Sequence, residues 1–396
     1  MHPEDPDEFR TWVRSWYAEH VPAQLARESA GDGDADYVAA KTQWLRELNT
    51  VGFAAPHLDK NWGGGGYSIR QQAMIYEEAT RGRAPDVDMF ILSVLHMPAT
   101  LLNAGTPQQQ DEFIRAGVDG VIWCQGFSEP GSGSDLASLR TRAERSGDEY
   151  IVNGQKIWSS HSRFARWCLL LARTDPAVPK HRGISYFILD MQTPGVDVRP
   201  IRQSTGVSEF CEIFLQDVRI PASRRIGQEG DGWSIAQSTL VAERGPNALP
   251  AIESLSVGLD WLGDELDLEV TAAGDLTAAQ ATYGSLLARS EAIRSLVYDA
   301  VEAIEYNQEQ VNLASVIKVA TSELLRAVTD FGCRSSGVDA LFAPIREGHA
   351  RPLVSGEWFT DYINSWGLSI AQGTNEIQRN IIAERILSLP REVRRS

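Results

Sequence analysis

The stretch EYIVNGQKIWSSHS, residues 149–162, is where the chain changes its period. Polar and apolar residues alternate from Glu149 to Trp158, the two-residue repeat of a strand with one buried face. Asn153-Gly154 within it is the strongest short hairpin signal, so the spacing predicts a hairpin there. At the end of that hairpin Trp158 offers an aromatic plane, with the hydroxyls of Ser159 and Ser160 beside it. For a strand tryptophan the usual fate is core packing.

Outward from this stretch the same reading holds for about a hundred residues, from Val121 to Pro221. RWCLLLAR (Arg166–Arg173), GISYFILDM (Gly183–Met191) and CEIFLQDVRI (Cys211–Ile220) are short apolar runs bounded by turn residues, as buried strands should be. Before this block, from Pro6 to Gly120, the pattern is helical: Trp12, Val13, Trp16 and Tyr17, then Trp44, Leu45 and Leu48, fall at one-face spacing. NWGGGGYS (Asn61–Ser68) interrupts it; with no strand before it and no Lys-Ser/Thr after it, the tetraglycine reads as an inter-helix turn and not a phosphate loop. From Gly232 helical spacing returns to the end, broken by TAAGDLTAAQ (Thr271–Gln280). Helices, a β block, then helices predict an α+β fold with segregated layers.

Composition excludes more than it selects. The chain has 396 residues, 23% charged and 43% hydrophobic, as in ordinary globular proteins. Its net charge of −16 argues against nucleic acid and against anionic membrane surfaces as partners. No apolar run is long enough to span a bilayer, and the acidic start MHPEDPDEFRTW lacks the regions of a signal peptide. Cys124, Cys168, Cys211 and Cys333 lie far apart without metal-ligand spacing, which suits a reducing cytoplasm; the histidines show no such spacing either, so no metal is expected.

Three segments could carry chemistry. WCQGFSEPGSGSD (Trp123–Asp135) is a loop whose glycines permit close backbone approach and whose serines add donors; it suits a phosphate or the edge of a flavin, or is a plain surface loop. The second is GQKIWSSHS, described above. In SIAQGTNEIQR (Ser369–Arg379) a Gly373-Thr374 corner introduces a helix with Thr374 as N-cap and Ile377, Ile381 and Ile382 as its buried stripe. A helix start can bind a polar cofactor group, or be ordinary capping.

In the order SEPGSGSD, NGQKIW, FLQDVRIP (Phe214–Pro221) and QGTNEIQR, the chain resembles the acyl-CoA dehydrogenase family, over about residues 40–240 and 355–390. The resemblance implies an N-terminal helical domain (1–120), a middle β-barrel-like domain (121–228) and a C-terminal four-helix bundle (229–396), with FAD between the last two. It implies that Phe127 and Ser128 meet the pyrimidine side of the flavin, Ser134 the pyrophosphate and the start of the CoA arm, and Trp158 the isoalloxazine. Ser160 stands where the family has a Thr reaching N5. Gln125, Ser159, Thr374 and Glu376 complete the cofactor set.

Such enzymes remove a proton next to the thioester while hydride leaves the neighbouring carbon for the flavin, which requires a positioned carboxylate base. In many relatives a Glu precedes the Gly-Thr corner; here Gln372 does, and an amide cannot accept that proton. In GWSIAQSTLVAERGPNALP (Gly232–Pro250), Trp233, Ala236, Leu240 and Glu243 fall within roughly 80° of one helix face. On pattern alone Glu243 either turns to solvent or pairs with Arg244. The resemblance makes it the base, since isovaleryl- and long-chain-type members carry theirs on this helix before an Arg. Arg244, Gln372 and Gly373 then border the substrate, and Pro246 and Pro250 are expected to bend or end the helix. The family's Arg-x-x-Phe-Gly and Gln-x-x-Gly-Gly-x-Gly segments, which hold a neighbour's FAD, have no counterpart in TAAQATYGSLLARSEAIR or CRSSGVDALFAPIREG. Either a companion chain supplies them, as in actinobacterial-style heteromers, or a homo-oligomer holds FAD otherwise. The implied activity is a cytoplasmic acyl-CoA dehydrogenase, a dimer or tetramer passing electrons to an electron-transfer flavoprotein. Two alternatives keep the scaffold: an oxygen-using acyl-CoA oxidase or monooxygenase, and a non-catalytic subunit.

Overall fold

Residues 149–160 form one continuous strand, and Asn153-Gly154 lies inside it instead of turning a hairpin. In the computed structural model, which describes residues 3–22, 34–205, 208–242, 248–266, 277–305, 313–341, 354 and 356–390, the turn comes earlier. Ser146 pairs with Glu149 across Gly147-Asp148, and Gly147 has φ +63°, the left-handed conformation that glycine adopts freely. Asn153 instead exchanges hydrogen bonds with Asp217 on the next strand, and Gly154 lies so close to Thr141 that a Cβ would collide with it. Gly154 thus serves close approach, which a sequence pattern does not distinguish from a turn.

The strands are β1 (Trp123–Gly126), β2 (Arg142–Ser146), β3 (Glu149–Ser160), β4 (Trp167–Arg173), β5 (Ile184–Asp190), β6 (Val196–Pro200), β7 (Phe210–Pro221) and β8 (Arg225–Ile226). They make one sheet in the order β6-β7-β3-β2-β4-β5-β8, with β1 parallel to β4. Its core, including Tyr150, Val152, Leu170, Phe187 and Ile213, is fully buried.

By its contacts the chain divides into two units. One comprises Ala26–Gly66 and Val87–Glu243 and contains the sheet. The same unit has helices Asp34–Asn49, Met97–Ala104, Pro107–Val118 and Gly232–Ala242. The helix Pro107–Val118 starts with proline at N1 and a Thr106–Gln109 capping box, which satisfies the first free amides. The tetraglycine is an inter-helix turn, and a Cβ on Gly52 would come 2.5 Å from the Gly65 Cα.

The other unit comprises Met1–Leu25, Tyr67–Asp86 and Arg244–Ser396. Its long helices Ala248–Glu265, Ala278–Glu305, Ala314–Ser336 and Trp358–Ile370 pack around buried apolar residues such as Ile252, Leu255, Leu259, Val297, Leu324 and Trp358. Pro250 ends no helix; it sits in the first turn of Ala248–Glu265, where its missing amide is harmless. Pro246, Glu243 and Arg244 lie outside the described residues. Among the described residues no helix is long and apolar enough to cross a membrane, and no cluster of His, Cys, Asp and Glu could hold a metal ion.

Candidate active site

In the sheet-containing unit, Gln125, Phe127, Ser128, Trp158, Ser159 and Ser160 come together where β1 ends beside β3. The anchor is a buried ion pair that the sequence reading missed. Lys156, fully buried, donates from Nζ to the Glu129 carboxylate at 2.8 Å and to the Phe127 carbonyl at 3.1 Å. Glu129 also accepts from the backbone amides of Arg140 at 2.6 Å and Thr141 at 2.8 Å. Burial pushes Lys156 down to about 8, against the Glu129 charge that holds it up. Burial would raise Glu129, but the Lys156 charge and these hydrogen bonds hold it below the usual carboxylate range. The signal was present: Tyr150, Val152 and Lys156 share the inward face of β3, and a lysine there requires a buried partner.

Beyond Lys156 the amide of Ile157 donates to the Ser128 carbonyl at 3.0 Å, and then the β3–β7 register shifts. Trp158 sits at this bulge with φ +63°. A left-handed bulky residue costs on the order of 1–3 kcal/mol, strain that clusters at ligand sites. The indole is 57% exposed and meets Phe210 edge-on at 6.0 Å, so it does not follow the usual fate of a strand tryptophan. The buried Ser159 hydroxyl donates to the Gln125 carbonyl, and Ser160 is half-buried.

The loop after Phe127 folds on reciprocal backbone bonds between Glu129 and Ser132. A Cβ on Gly131 or Gly133 would meet nothing within 4 Å, and Ser134 is exposed, so this face of the loop is open. Its far end is pinned by Lys180, which donates to Asp135 at 2.7 Å. The Phe127 ring itself packs edge-on to Tyr186 at 5.6 Å; its carbonyl, not its ring, is held at the rim. Gln125 is also hydrogen-bonded to His96, a buried imidazole on the π-helical turn Leu92–His96, which burial lowers to about 4. An exposed indole beside an open backbone loop is a platform for a flat heteroaromatic group with a polar tail, and the residues present suit a flavin.

The Gln372, Gly373, Thr374 and Glu376 group lies in the other unit. Gln372 and Gly373 have φ +57° and +83°, a sharp corner after Trp358–Ile370. Gln378 donates to the Gln372 carbonyl at 2.9 Å and lies 2.8 Å from where a Gly373 Cβ would stand. Thr374 caps the next helix as expected, accepting from the Ile377 amide at 3.3 Å. The apolar stripe does not match: Ile377, Ile381 and Ile382 are half-buried, whereas Asn375 and Gln378 are buried. The reason is a polar network, with Asn375 accepting from Lys318 at 2.8 Å and Ser322 at 3.0 Å. Glu376 is exposed, and hydrogen bonds from its own amide and from Thr374 hold it below the usual carboxylate range.

Comparison with known proteins matches residues 3–120, 124–218 and 230–387 to the N-terminal, middle and C-terminal domains of the acyl-CoA dehydrogenases. The chain is 36% identical to the acyl-CoA dehydrogenase IpdE1 of Mycobacterium tuberculosis, over 99% of this chain and 100% of that one. Its fold is similar to a solved steroid ACAD, Tcur3481-Tcur3483, at a TM-score of 0.82 and 26% identity over 99% of both chains. It is also similar to the ChsE4-ChsE5 complex of Mycobacterium tuberculosis, at 0.79 and 28% over 99% of both.

Proposed function

The chain belongs to the acyl-CoA dehydrogenase family, and from that premise we propose that it desaturates a steroid-derived acyl-CoA thioester between its α and β carbons with Glu243 as base. It is an FAD-dependent oxidoreductase of lipid metabolism. The observation that carries the site is the exposed, left-handed Trp158 beside the open 127–134 loop. When bound there, FAD supplies the hydride acceptor.

This chain's residues do the rest. Trp158 would flank the ring system, while Gln125, Phe127, Ser128, Ser159 and Ser160 would supply the polar rim and Ser134 would meet the pyrophosphate and CoA end. In the sequence Glu243 follows directly on Ala242, the last residue of the helix Gly232–Ala242. As a carboxylate it takes the α-proton; Arg244 orders it. The amide Gln372 is unable to replace it, and Gln372, Gly373, Thr374 and Glu376 keep the wall and cofactor roles that the resemblance implies. The steroid-derived acyl group and a second, companion chain are supported by the similar two-chain proteins and by the absent adenosine-holding segments. Electrons pass to an electron-transfer flavoprotein, in the cytoplasm, and the domain limits are 1–120, 121–228 and 229–396.

The test is anaerobic addition of an acyl-CoA panel to the purified yellow protein. Bleaching by a steroid-side-chain thioester, lost by at least about a thousandfold in rate in Glu243→Gln with FAD retained, is the expected result. Unchanged bleaching in that variant removes Glu243 as base. Stoichiometric peroxide under air replaces the dehydrogenase reading by an oxidase, and no bleaching by any thioester makes the chain a non-catalytic subunit.

A further inference from the structure

The Lys156–Glu129 pair has no part in the chemistry above, yet it touches both ends of the loop assigned to the flavin. From one buried position, Lys156 holds the Phe127 carbonyl and Glu129, while Glu129 holds the Arg140 and Thr141 amides. The loop between these points contains Ser128 and Ser134. On the strand side, Lys156 is the last residue in register before the bulge that lifts Trp158, and the neighbouring Ile157 amide is bonded to the Ser128 carbonyl. Stability does not require charges here, since well-packed apolar residues replace buried ion pairs at little or no loss. An apolar pair, however, cannot hold a carbonyl and two amides in fixed positions.

We propose that Lys156 and Glu129 are positioning residues for the flavin: they set the distance between the 127–129 backbone and the Trp158 plane, and with it the tightness of flavin binding. This rests on the reading of the loop as the flavin site. The charge state of Lys156 is then felt by the cofactor. The groups around its ammonium are Glu129 from the loop, Cys168 on β4, whose thiol bonds Cys124 on β1, and Arg173 at the end of β4. Burial places its titration near pH 8. Loss of that proton leaves Glu129 buried without its counter-ion, so flavin affinity should fall as pH rises through about 8.

The experiment uses the full chain in the assembly in which it purifies, stripped of FAD and titrated with FAD by fluorescence. Removing one partner alone would strand a buried charge, so the variant is the double Lys156→Met/Glu129→Gln, with Trp158→Ala beside it. The expected result is an FAD dissociation constant raised about tenfold or more in the double variant, an altered visible band, and an unfolding midpoint close to that of the parent. A double variant that binds FAD as the parent does, while Trp158→Ala binds weakly, overturns the positioning role and leaves the flavin reading standing. Unchanged binding in both overturns the flavin reading itself. Should the double variant fail to fold, the parent decides: affinity falling through pH 8 supports the proposal, and a flat profile to pH 9.5 overturns it.

Discussion

Trp158 concentrates the conflict between folding and function in one residue. It is large, apolar, half out in solvent and in a backbone conformation that glycine would adopt without strain. A buried tryptophan truncated to alanine loses about 3–5 kcal/mol. Trp158→Gly should do nothing of the kind: it gives up little packing and relieves the left-handed strain, so the unfolding free energy from denaturant titration should stay within about 1 kcal/mol of the parent. Flavin binding in the same variant should weaken. A loss of stability of core size would show that the indole packs inside, contrary to its exposure. His96 poses the opposite case, a polar residue kept inside. It titrates near 4 when folded and near 6.5 when unfolded, so the unfolded chain binds the extra proton between those values. That difference removes on the order of 3 kcal/mol of stability as pH falls across the window. His96→Gln should reduce the pH dependence of the urea midpoint there without abolishing it, because burial also lowers His57 to about 4; an unchanged slope would mean that the His96 imidazole is not held neutral.

At the scale of elements, glycine separates what the sequence states from what it conceals. Gly332 lies within the helix Ala314–Ser336, where alanine has the better propensity by about 1 kcal/mol. Yet a Cβ at Gly332 would stand 2.5 Å from the Trp358 ring of the neighbouring helix. Overpacking of that kind costs about 1–3 kcal/mol, so Gly332→Ala should lower the thermal midpoint despite its propensity gain. A rise would place the two helices further apart than they are here. The same principle explains the misread hairpin. Gly147→Asn, at the true turn with open space around it, should be tolerated, whereas Gly154→Ala, against Thr141, should destabilise by at least about 1 kcal/mol. Thermal unfolding of the pair checks both. The central strands β3, β4, β5 and β7 were legible because their apolar runs are long and bounded. β1 and β8 are short, and β6 has an open face, so their hydrophobic signal was too weak to read. The Ser128 and Trp158 segments were legible as composition, but Glu129 with Lys156, and Asn375 with Lys318, depend on contacts between distant positions. No local period encodes such contacts.

For the whole molecule, each unit buries a carboxylate held by cations, but the sheet-containing unit also buries neutral histidine, and this sets an order for acid unfolding. In the unit containing Tyr67–Asp86 and the long helices, Glu77 accepts from Arg10 at 2.6 Å, Arg294 at 2.8 Å and Tyr298 at 2.9 Å, while Arg294 also holds Glu253 at 2.6 Å. One network thereby joins the helix Pro6–His20 to three later segments, which is why the start of the chain belongs with its end. Burial opposes the Glu77 charge, but its partners win and hold it below the usual carboxylate range. Its stabilisation is therefore complete above about 4.5 and lost only as pH falls through its lower folded value. Glu253 is raised by burial, so uptake of its proton favours the folded state as pH falls, offsetting part of that loss. The sheet-containing unit instead carries neutral His96, whose penalty begins near 6.5. Glu129 adds its own loss only at lower pH. Acidification from 6.5 to 4.5 should therefore open the unit containing the sheet first. Hydrogen exchange by mass spectrometry, corrected for the intrinsic pH dependence of exchange, would show protection falling in peptides of β1, β3 and β4 while those of Ala248–Glu265 and Ala278–Glu305 hold. Arg294→Met should narrow or reverse the order, because it removes the cation shared by Glu77 and Glu253 and leaves them only Arg10 and Arg81, at a loss of about 1–3 kcal/mol. If the helices of the parent lose protection first, or the two units always open together, the division of acid sensitivity between them is wrong.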